Sequence, residues 1–459
     1  MGFWEIGLIF VNFALLGWTL FAGWKTKRWS VTALTVAYGV LIIQLIAEGY
    51  RWQMIPAYLS PVILTVCYLL ARSKESPRNR ITVTVRTLLL VIYLSVAVAM
   101  PALMPVSLFH KPTGPFMVGT TLYHWVDDQR EELFTNDPND RRELMVQMYY
   151  PAGDKGEGNR EPFIRNAHEV AKGLEADVSV PAFVLGHLNV VKSNAFSEAR
   201  LSDAENRYPV LIFSHGLNGF RNQNTFQVEE LASQGYIVLC IDHAYDAAAT
   251  VYPDGRTAYF QSTNLTELAE RDRHIKLWRE DTAFVLDQVE KLNRGDVDDR
   301  FTGRIDTSRI GMFGHSYGGA TAAQILVEDS RIQAAINMDG LLYGSNVPDK
   351  GIGKPFLLMI AGIIDDPLED IKVINNRNER ALAGGGMSMV VPGTDHTSFT
   401  DFHLISPLLR SPGEDPRYVH RIINEFSLAF FDLYVKQTGD SSALERLAAK
   451  YPEVNFKVN

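Results

Sequence analysis

Ser316 stands at the centre of Gly314-His315-Ser316-Tyr317-Gly318-Gly319-Ala320-Thr321, a glycine-flanked octapeptide that follows the apolar run Ile310 to Phe313. Where a strand turns this sharply into a helix, the serine backbone is strained and its hydroxyl is held out toward substrate. Gly314 and Gly318 let strand and helix pass without a Cβ clash. A hydroxyl is a poor nucleophile until a base takes its proton, and an imidazole base needs a carboxylate to fix its tautomer and stabilise its charged form. Both groups are present downstream. Asp339 directly follows the apolar run Ala334 to Met338, and His396 lies in Pro392-Gly393-Thr394-Asp395-His396, after the run Met387 to Val391. Asp365 and Asp366, after the run Phe356 to Ile360, are the competing carboxylates. Asp339 is preferred because it follows its strand at once, whereas Asp365 to Asp370 reads as a solvated acidic turn.

Acyl chemistry also needs donors for the oxygen that becomes charged. Ser214-His215-Gly216-Leu217-Asn218-Gly219-Phe220 follows the apolar run Val210 to Phe213, and its glycines let the backbone curl until an amide faces substrate. The N–H groups of Leu217 and Tyr317 are the expected pair, each worth roughly 3 kcal/mol in the transition state. His315 is expected to pack in the turn. Such chemistry needs no cofactor, and no metal site is expected: Asp242-His243 and Asp395-His396 are adjacent pairs without further spaced ligands.

These residues must be positioned by alternating elements. Strands are predicted at Leu122 to Val126, Leu144 to Tyr150, Val210 to Phe213, Ile237 to Ile241, Ile310 to Phe313, Ala334 to Met338, Phe356 to Ile360 and Met387 to Val391. Amphipathic helices are predicted at Arg273 to Leu292 and Arg417 to Val435, from apolar residues three and four apart. Continuous apolar strands interleaved with such helices imply a mostly parallel sheet covered on both faces. The first two strands, joined by the polar stretch Asp127 to Arg142, are expected to form an antiparallel edge. The chain order Ser, Asp, His, each after a strand, is that of an α/β-hydrolase. Gly153 to Tyr208 reads as a long insertion with no clear sheet member, a lid or a surface excursion.

Residues 1–110 are different in kind. Four apolar runs, Ile6 to Trp24, Trp29 to Ala47, Met54 to Ala71 and Thr87 to Phe109, each approach the ~20 residues that span a bilayer as helix. They predict a transmembrane bundle of four helices at 1–110, followed by a catalytic domain at 111–459. Lys25, Lys27 and Arg28 between the first two runs, and Arg72, Lys74, Arg78, Arg80 and Arg86 between the last two, mark cytoplasmic loops. The catalytic domain would therefore lie outside, on a multi-pass membrane protein. This part holds nine Lys/Arg and three Asp/Glu, net +6, which leaves −15 for the remainder of a chain with formal charge −9. An acidic body of that size argues against a nucleic-acid partner. The two cysteines, Cys67 and Cys240, lie in different parts and are not expected to pair.

The segments PVLIFSHGLNGFR, GHSYGGAT, INMDG and GTDHTSFTDF resemble those of the platelet-activating-factor acetylhydrolases, the lipoprotein-associated phospholipases. The resemblance covers roughly residues 115–435. It implies Ser316 as nucleophile, Asp339 as acid and His396 as base, with the Leu217 and Tyr317 amides around the oxyanion, and calcium-independent release of short or oxidised acyl groups from the sn-2 position of phospholipids. The four runs before the domain and the 153–208 insertion depart from that pattern. A general carboxylesterase or an acyltransferase would use the same acyl-enzyme, and a catalytically dead binding or sensing protein is the alternative from another class.

Overall fold

The computed structural model describes residues 2–21, 27–73, 80–156, 158–178, 180–344, 350–363 and 371–459. The chain divides into two compact units, Met1–Leu108 with Ile405–Leu408, and Phe109–Leu404 with Leu409–Asn459.

The first unit is built on four helices: α1 (Phe3–Phe21), α2 (Lys27–Glu48), α3 (Ile55–Ser73) and α4 (Arg80–Leu103). The sequence predicts four full spans. Among the described residues one stretch, Val31–Glu48, is long and apolar enough to cross a membrane, while Phe3–Trp18, Trp52–Val66 and Thr87–Leu103 are shorter apolar stretches. The helices are tied by more polar contacts than the sequence suggests. The Glu48 carboxylate accepts from the Trp4 and Glu5 backbone N–H groups, both at 2.9 Å, and so caps the open start of α1. The Arg51 guanidinium donates to Glu5 at 2.9 Å, with both side chains buried.

The second unit carries one mixed sheet of eleven strands. In chain order the strands and helices are β1 (Met117–Glu131), β2 (Arg141–Ala152), β3 (Arg160–Pro162), α5 (Ala167–Val178), α6 (Ala182–Leu185), β4 (Lys192–Ser197), β5 (Tyr208–Ser214), α7 (Thr225–Ser233) and β6 (Ile237–Asp242). A two-strand hairpin, β7 (Ala249–Val251) and β8 (Thr257–Tyr259), stands apart from the sheet. Then come α8 (Leu268–Arg294), β9 (Ile305–His315), α9 (Tyr317–Glu328), β10 (Ile332–Met338), β11 (Phe356–Ala361), α10 (Ile371–Leu382), β12 (Met387–Val391), α11 (Phe402–Ile405), α12 (Pro416–Phe431), α13 (Ala443–Lys450) and β13 (Asn455–Val458). The spatial order is β13-β12-β11-β10-β9-β5-β6-β2-β1-β4-β3, with the central run from β12 to β6 parallel.

Each predicted strand lies inside an observed one, and the predicted antiparallel pairing of the first two holds, with Tyr149 opposite Thr120. Two expectations fail. The 153–208 segment does contribute to the sheet, because β4 runs parallel to β1 and β3 pairs antiparallel with β4, so β1 and β2 are not the edge. These strands are too short, three and six residues, for alternation to reveal them. At the other edge β13 adds antiparallel to β12, a strand of mostly exposed side chains with no apolar run to announce it.

Alternation along the central strands sorts two cores. Leu211 and Phe213 of β5 pack with Val238, Phe313, Ile336 and the apolar face of α12, notably Ile422, Phe426 and Phe430. Val210 and Ile212 point the other way, onto Val285, Leu286 and Val289 of α8 and Ala322 and Ala323 of α9. Both faces of β5 and β6 are fully buried, as a parallel sheet covered by helices requires. α8 outruns its predicted limits because Glu267 and Glu270 form a reciprocal capping box at its start and Gly295, at φ 85°, ends it. This is the α/β-hydrolase architecture, with its strand carboxyl ends gathered on one rim.

Candidate active site

Ser316 occupies the single position between β9 and α9, at φ 55° and ψ −120°. L-residues rarely adopt such backbone, and the surrounding structure must hold it there. The grip is visible in its bonds: Ser316 N–H donates to Met338 O at 2.9 Å, and Ser316 O accepts from Ala320 N–H at 3.1 Å. Gly318 completes the turn because a Cβ there would lie 2.1 Å from the Ser214 carbonyl oxygen. The result is a partly exposed serine in an otherwise buried turn.

Asp339 follows β10 directly and is also left-handed, at φ 54°. Its Oδ1 accepts from Ala361 N–H at 2.8 Å, and its Oδ2 accepts from His396 Nδ1–H at 2.6 Å. Burial pushes this carboxyl up, but the bond to His396, the charge of that ring and the Ala361 N–H outweigh it and hold the group below the usual carboxylate range. His396 starts a short 3-10 turn after β12, capped by Asp395, whose Oδ1 accepts from the N–H groups of Thr397 at 2.8 Å and Ser398 at 3.0 Å. The His396 side chain is 48% exposed. Asp339 and His396 are thus joined, and the His315 ring, next to Ser316 in sequence, lies 4.5 Å from the His396 ring. Ser316 Oγ itself makes no hydrogen bond to any described residue. Asp365 and Asp366 lie outside the described residues.

The loop after β5 reaches the same place. A Cβ on Gly216 would sit 3.2 Å from Ser316 Cβ, so this backbone runs directly against the serine. Asn218 takes a left-handed φ of 56° and its N–H donates to Asp246 O at 2.9 Å. Leu217 packs with Tyr317, Trp278 and Ile275. Among the described residues neither the Leu217 nor the Tyr317 N–H has a hydrogen-bond partner, which leaves both as free donors beside Ser316.

A second Ser, His and Asp set is formed that sequence reasoning missed. Ser214 Oγ and His243 Nε2 are 2.8 Å apart, and His243 Nδ1 and Asp281 Oδ2 are 2.9 Å apart. All three side chains are at 0% exposure. Asp281 also accepts from Arg142 at 3.0 and 2.7 Å and from Arg130 at 2.9 Å. Burial would raise the Asp281 carboxyl, but Arg142, His243 and Arg130 hold it well below the usual range. Burial lowers His243 against the pull of Asp281, and its ring stacks on Trp278 with centroids 3.9 Å apart. The signal was present in the sequence as Ser214, which ends β5, and His243, directly after β6, but Asp281 lies in mid-helix, where no loop marks it.

Asp395, His403 and Glu414 bring ligand-capable atoms within 4.8 Å of one another. The sequence pattern does not suggest this group. His403 Nδ1 bonds Glu414 at 2.7 Å and His403 Nε2 lies 3.5 Å from Asp395 Oδ1, which accounts for their proximity. Cys240 is free and buried in β6.

A ferulic acid esterase from Streptomyces cinnamoneus has a similar structure, with a TM-score of 0.60 and 27% identity over 75% of this chain and 97% of that one. The shared fold, together with homology to esterases, makes this chain an ester hydrolase of the α/β-hydrolase fold. Residues 103–446 match the family model described as platelet-activating factor acetylhydrolase, isoform II, and the chain belongs to that family. The platelet-activating factor acetylhydrolase of Cavia porcellus is 30% identical over 365 residues, 71% of this chain and 77% of its own length. That of Gallus gallus is 25% identical over 374 residues, 71% and 83% of the two chains.

Proposed function

We propose that the chain hydrolyses short-acyl or phospholipid-like esters through an acyl-enzyme on Ser316. The observation that carries this reading is the Asp339 to His396 bond of 2.6 Å beside a serine held at φ 55°. With Nδ1–H committed to Asp339, His396 presents Nε2 as the basic atom, free to take the Ser316 proton when substrate closes the pair. Such bonds commonly tighten only once substrate is bound. The carbonyl carbon then bonds to Ser316 Oγ, and its oxygen, now negative, is received by the Leu217 and Tyr317 N–H groups. His396 returns the proton to the leaving alcohol, and water repeats the sequence in reverse to free the acid. Deacylation at the sn-2 position of a phospholipid is the family's reaction carried to this chain. A carboxylesterase without lipid preference is the second reading, favoured by the ferulic acid esterase likeness.

The first unit, in this reading, is a four-helix membrane anchor that leaves the catalytic domain on the outer side. Its support is the outward apolar surface of the helices: Phe3, Phe10, Ile46 and Ile81 are between 71 and 81% exposed. A tether at the bilayer raises the local concentration of a lipid ester.

Ser316→Ala should lower turnover of p-nitrophenyl acetate by about 10⁶-fold. Unchanged turnover would remove the mechanism. A panel of phospholipid and simple esters, assayed with and without an added alcohol acceptor, separates lipase, esterase and transferase. For topology, Asn136→Cys places a thiol on the exposed turn between β1 and β2. Labelling by an impermeant probe on intact cells is expected, and labelling only after lysis would reverse the orientation.

A further inference from the structure

Three loops meet at the rim: the one after β5 that carries Leu217, the turn at Ser316, and the one after β12 that carries His396. A buried chain of hydrogen bonds runs through all three. Gly216 N–H donates to Gln223 Oε1 at 3.1 Å. That backbone donor fixes the amide's orientation, since only oxygen can accept it. Gln223 Nε2 therefore donates to His315 Nδ1, at 2.7 Å. His315 Nδ1 must then carry the lone pair, so Nε2 carries the hydrogen and donates to the backbone carbonyl of His396 at 2.8 Å. Gln223 is 3% exposed and His315 4%. Gln223 is itself pinned: its carbonyl accepts from Asp401 N–H at 2.9 Å, and a Cβ on Gly219 would lie 2.0 Å from its Oε1.

We propose that Gln223 and His315 are positioning residues that lock the oxyanion loop and the base loop to one another through a single fixed tautomer of His315. This rests on the reading of Ser316 and His396 given above. The chain has no slack, because each link has one donor and one acceptor and reversing any of them sets two lone pairs or two hydrogens face to face. Burial, with the neighbouring His396 ring, lowers His315 to about 3 against the pull of the His396 carbonyl, so it stays neutral at working pH. The charged or titratable groups facing it are His396 and Asp339.

The test compares Gln223→Leu and Gln223→Glu in the full chain with p-nitrophenyl acetate, with Ser316→Ala as control. Leucine breaks both bonds of the amide, and kcat should fall about 10- to 100-fold with KM within twofold. Glutamate accepts at both oxygens and forces a proton onto His315 Nδ1. The resulting imidazolium still donates to the His396 carbonyl but places a positive charge 4.5 Å from the His396 ring. Its kcat should be partly restored relative to leucine, and the acid limb of kcat/KM should move lower by less than a full unpaired charge would give, since the new carboxylate 2.7 Å from His315 Nδ1 offsets much of the imidazolium. A residue that merely fills space would move neither the limb nor kcat alone. Nitrogen-15 histidine spectra of the unmodified protein give an answer independent of any variant: His315 is expected as the Nε2–H tautomer, and finding Nδ1–H overturns the proposal. Both Gln223 variants within twofold of the parent, with an unmoved limb, would also overturn it. If Ser316→Ala keeps its turnover, the reading of the site fails instead.

Discussion

Replacing His420 with phenylalanine isolates one buried imidazole and tests its linkage to stability. The His420 ring lies in the core beneath α12, stacked on Phe226 with centroids 3.6 Å apart, and its Nε2–H donates to Thr400 O at 3.0 Å. Burial lowers it to about 3, and the charge of His403 adds to this, while the Thr400 and Ser398 carbonyls oppose it only in part. In the unfolded chain the same ring titrates near ~6.5. Between these values the unfolded state holds a proton that the folded state does not. The group's contribution is therefore complete above about 6.5 and is lost as pH falls toward about 3. From pH 7.5 to 5.0 about 1.5 units of that window are crossed, a loss of about 2 kcal/mol at roughly 1.4 kcal/mol per unit. Phenylalanine keeps the stack and takes no proton, but it leaves Thr400 O without its donor, at a cost of about 1 kcal/mol. The His420→Phe chain should thus be about 1 kcal/mol less stable than the parent at pH 7.5 and about 1 kcal/mol more stable at pH 5.0. Urea unfolding followed by near-ultraviolet circular dichroism at both pH values measures this crossover. A stability difference that stays the same at the two pH values, to within about 0.5 kcal/mol, would refute the linkage.

Asp281→Asn should destabilise the second unit by about 3–5 kcal/mol, because Arg142 is left buried with its charge under-compensated; a loss under about 1 kcal/mol in the same urea assay would contradict that account. Asp339→Asn should lower kcat about 10⁴-fold through loss of the correct His396 tautomer, while Asp365→Asn should stay within tenfold of the parent. The opposite pattern would move the acid to Asp365. Gly318→Ala should give no folded catalytic unit, since its methyl would meet the Ser214 backbone oxygen at 2.1 Å and backbone cannot yield as a side chain can. Recovery of a fluorophosphonate-labelled, soluble domain would show that the turn is softer than argued.

Much of the second unit was legible because parallel strands buried on both faces must be continuously apolar. Val210 to Phe213 and Ile237 to Ile241 announce themselves in this way, and the rim positions just after each strand then nominate Ser316, Asp339 and His396 for the site. What escaped were elements whose identity is set by partners rather than by their own pattern. β4 and β13 are strands only because β1 and β12 offer them an edge, and Asp281 is found only when helix and sheet are assembled. The Gln223 to His315 link spans 92 residues and has no local signature at all. In the first unit four apolar runs were read as spans, of which one stretch among the described residues is long and apolar enough to cross a membrane, and the pairing of Arg51 with Glu5 appears only when α1 and the turn before α3 are brought together.

The two Ser, His and Asp sets make a point that hydrogen-bond geometry alone would miss. Ser214, His243 and Asp281 are the better-formed triplet, with both bonds made and every group in place, whereas Ser316 has yet to meet His396. Yet a nucleophile must be reached by a carbonyl carbon, and Ser214 has no exposed surface. The proton it would give to His243 would create an imidazolium wedged against Trp278, beside an Asp281 already shared with two arginines. Burial lowers His243 despite the opposing pull of Asp281, which makes it a weaker base. The Ser214 set therefore serves as rigid backing, fixing the end of β5 from which the Gly216 to Leu217 peptide departs. The Ser316 set keeps one bond open and one ring exposed, which is the arrangement a substrate can complete.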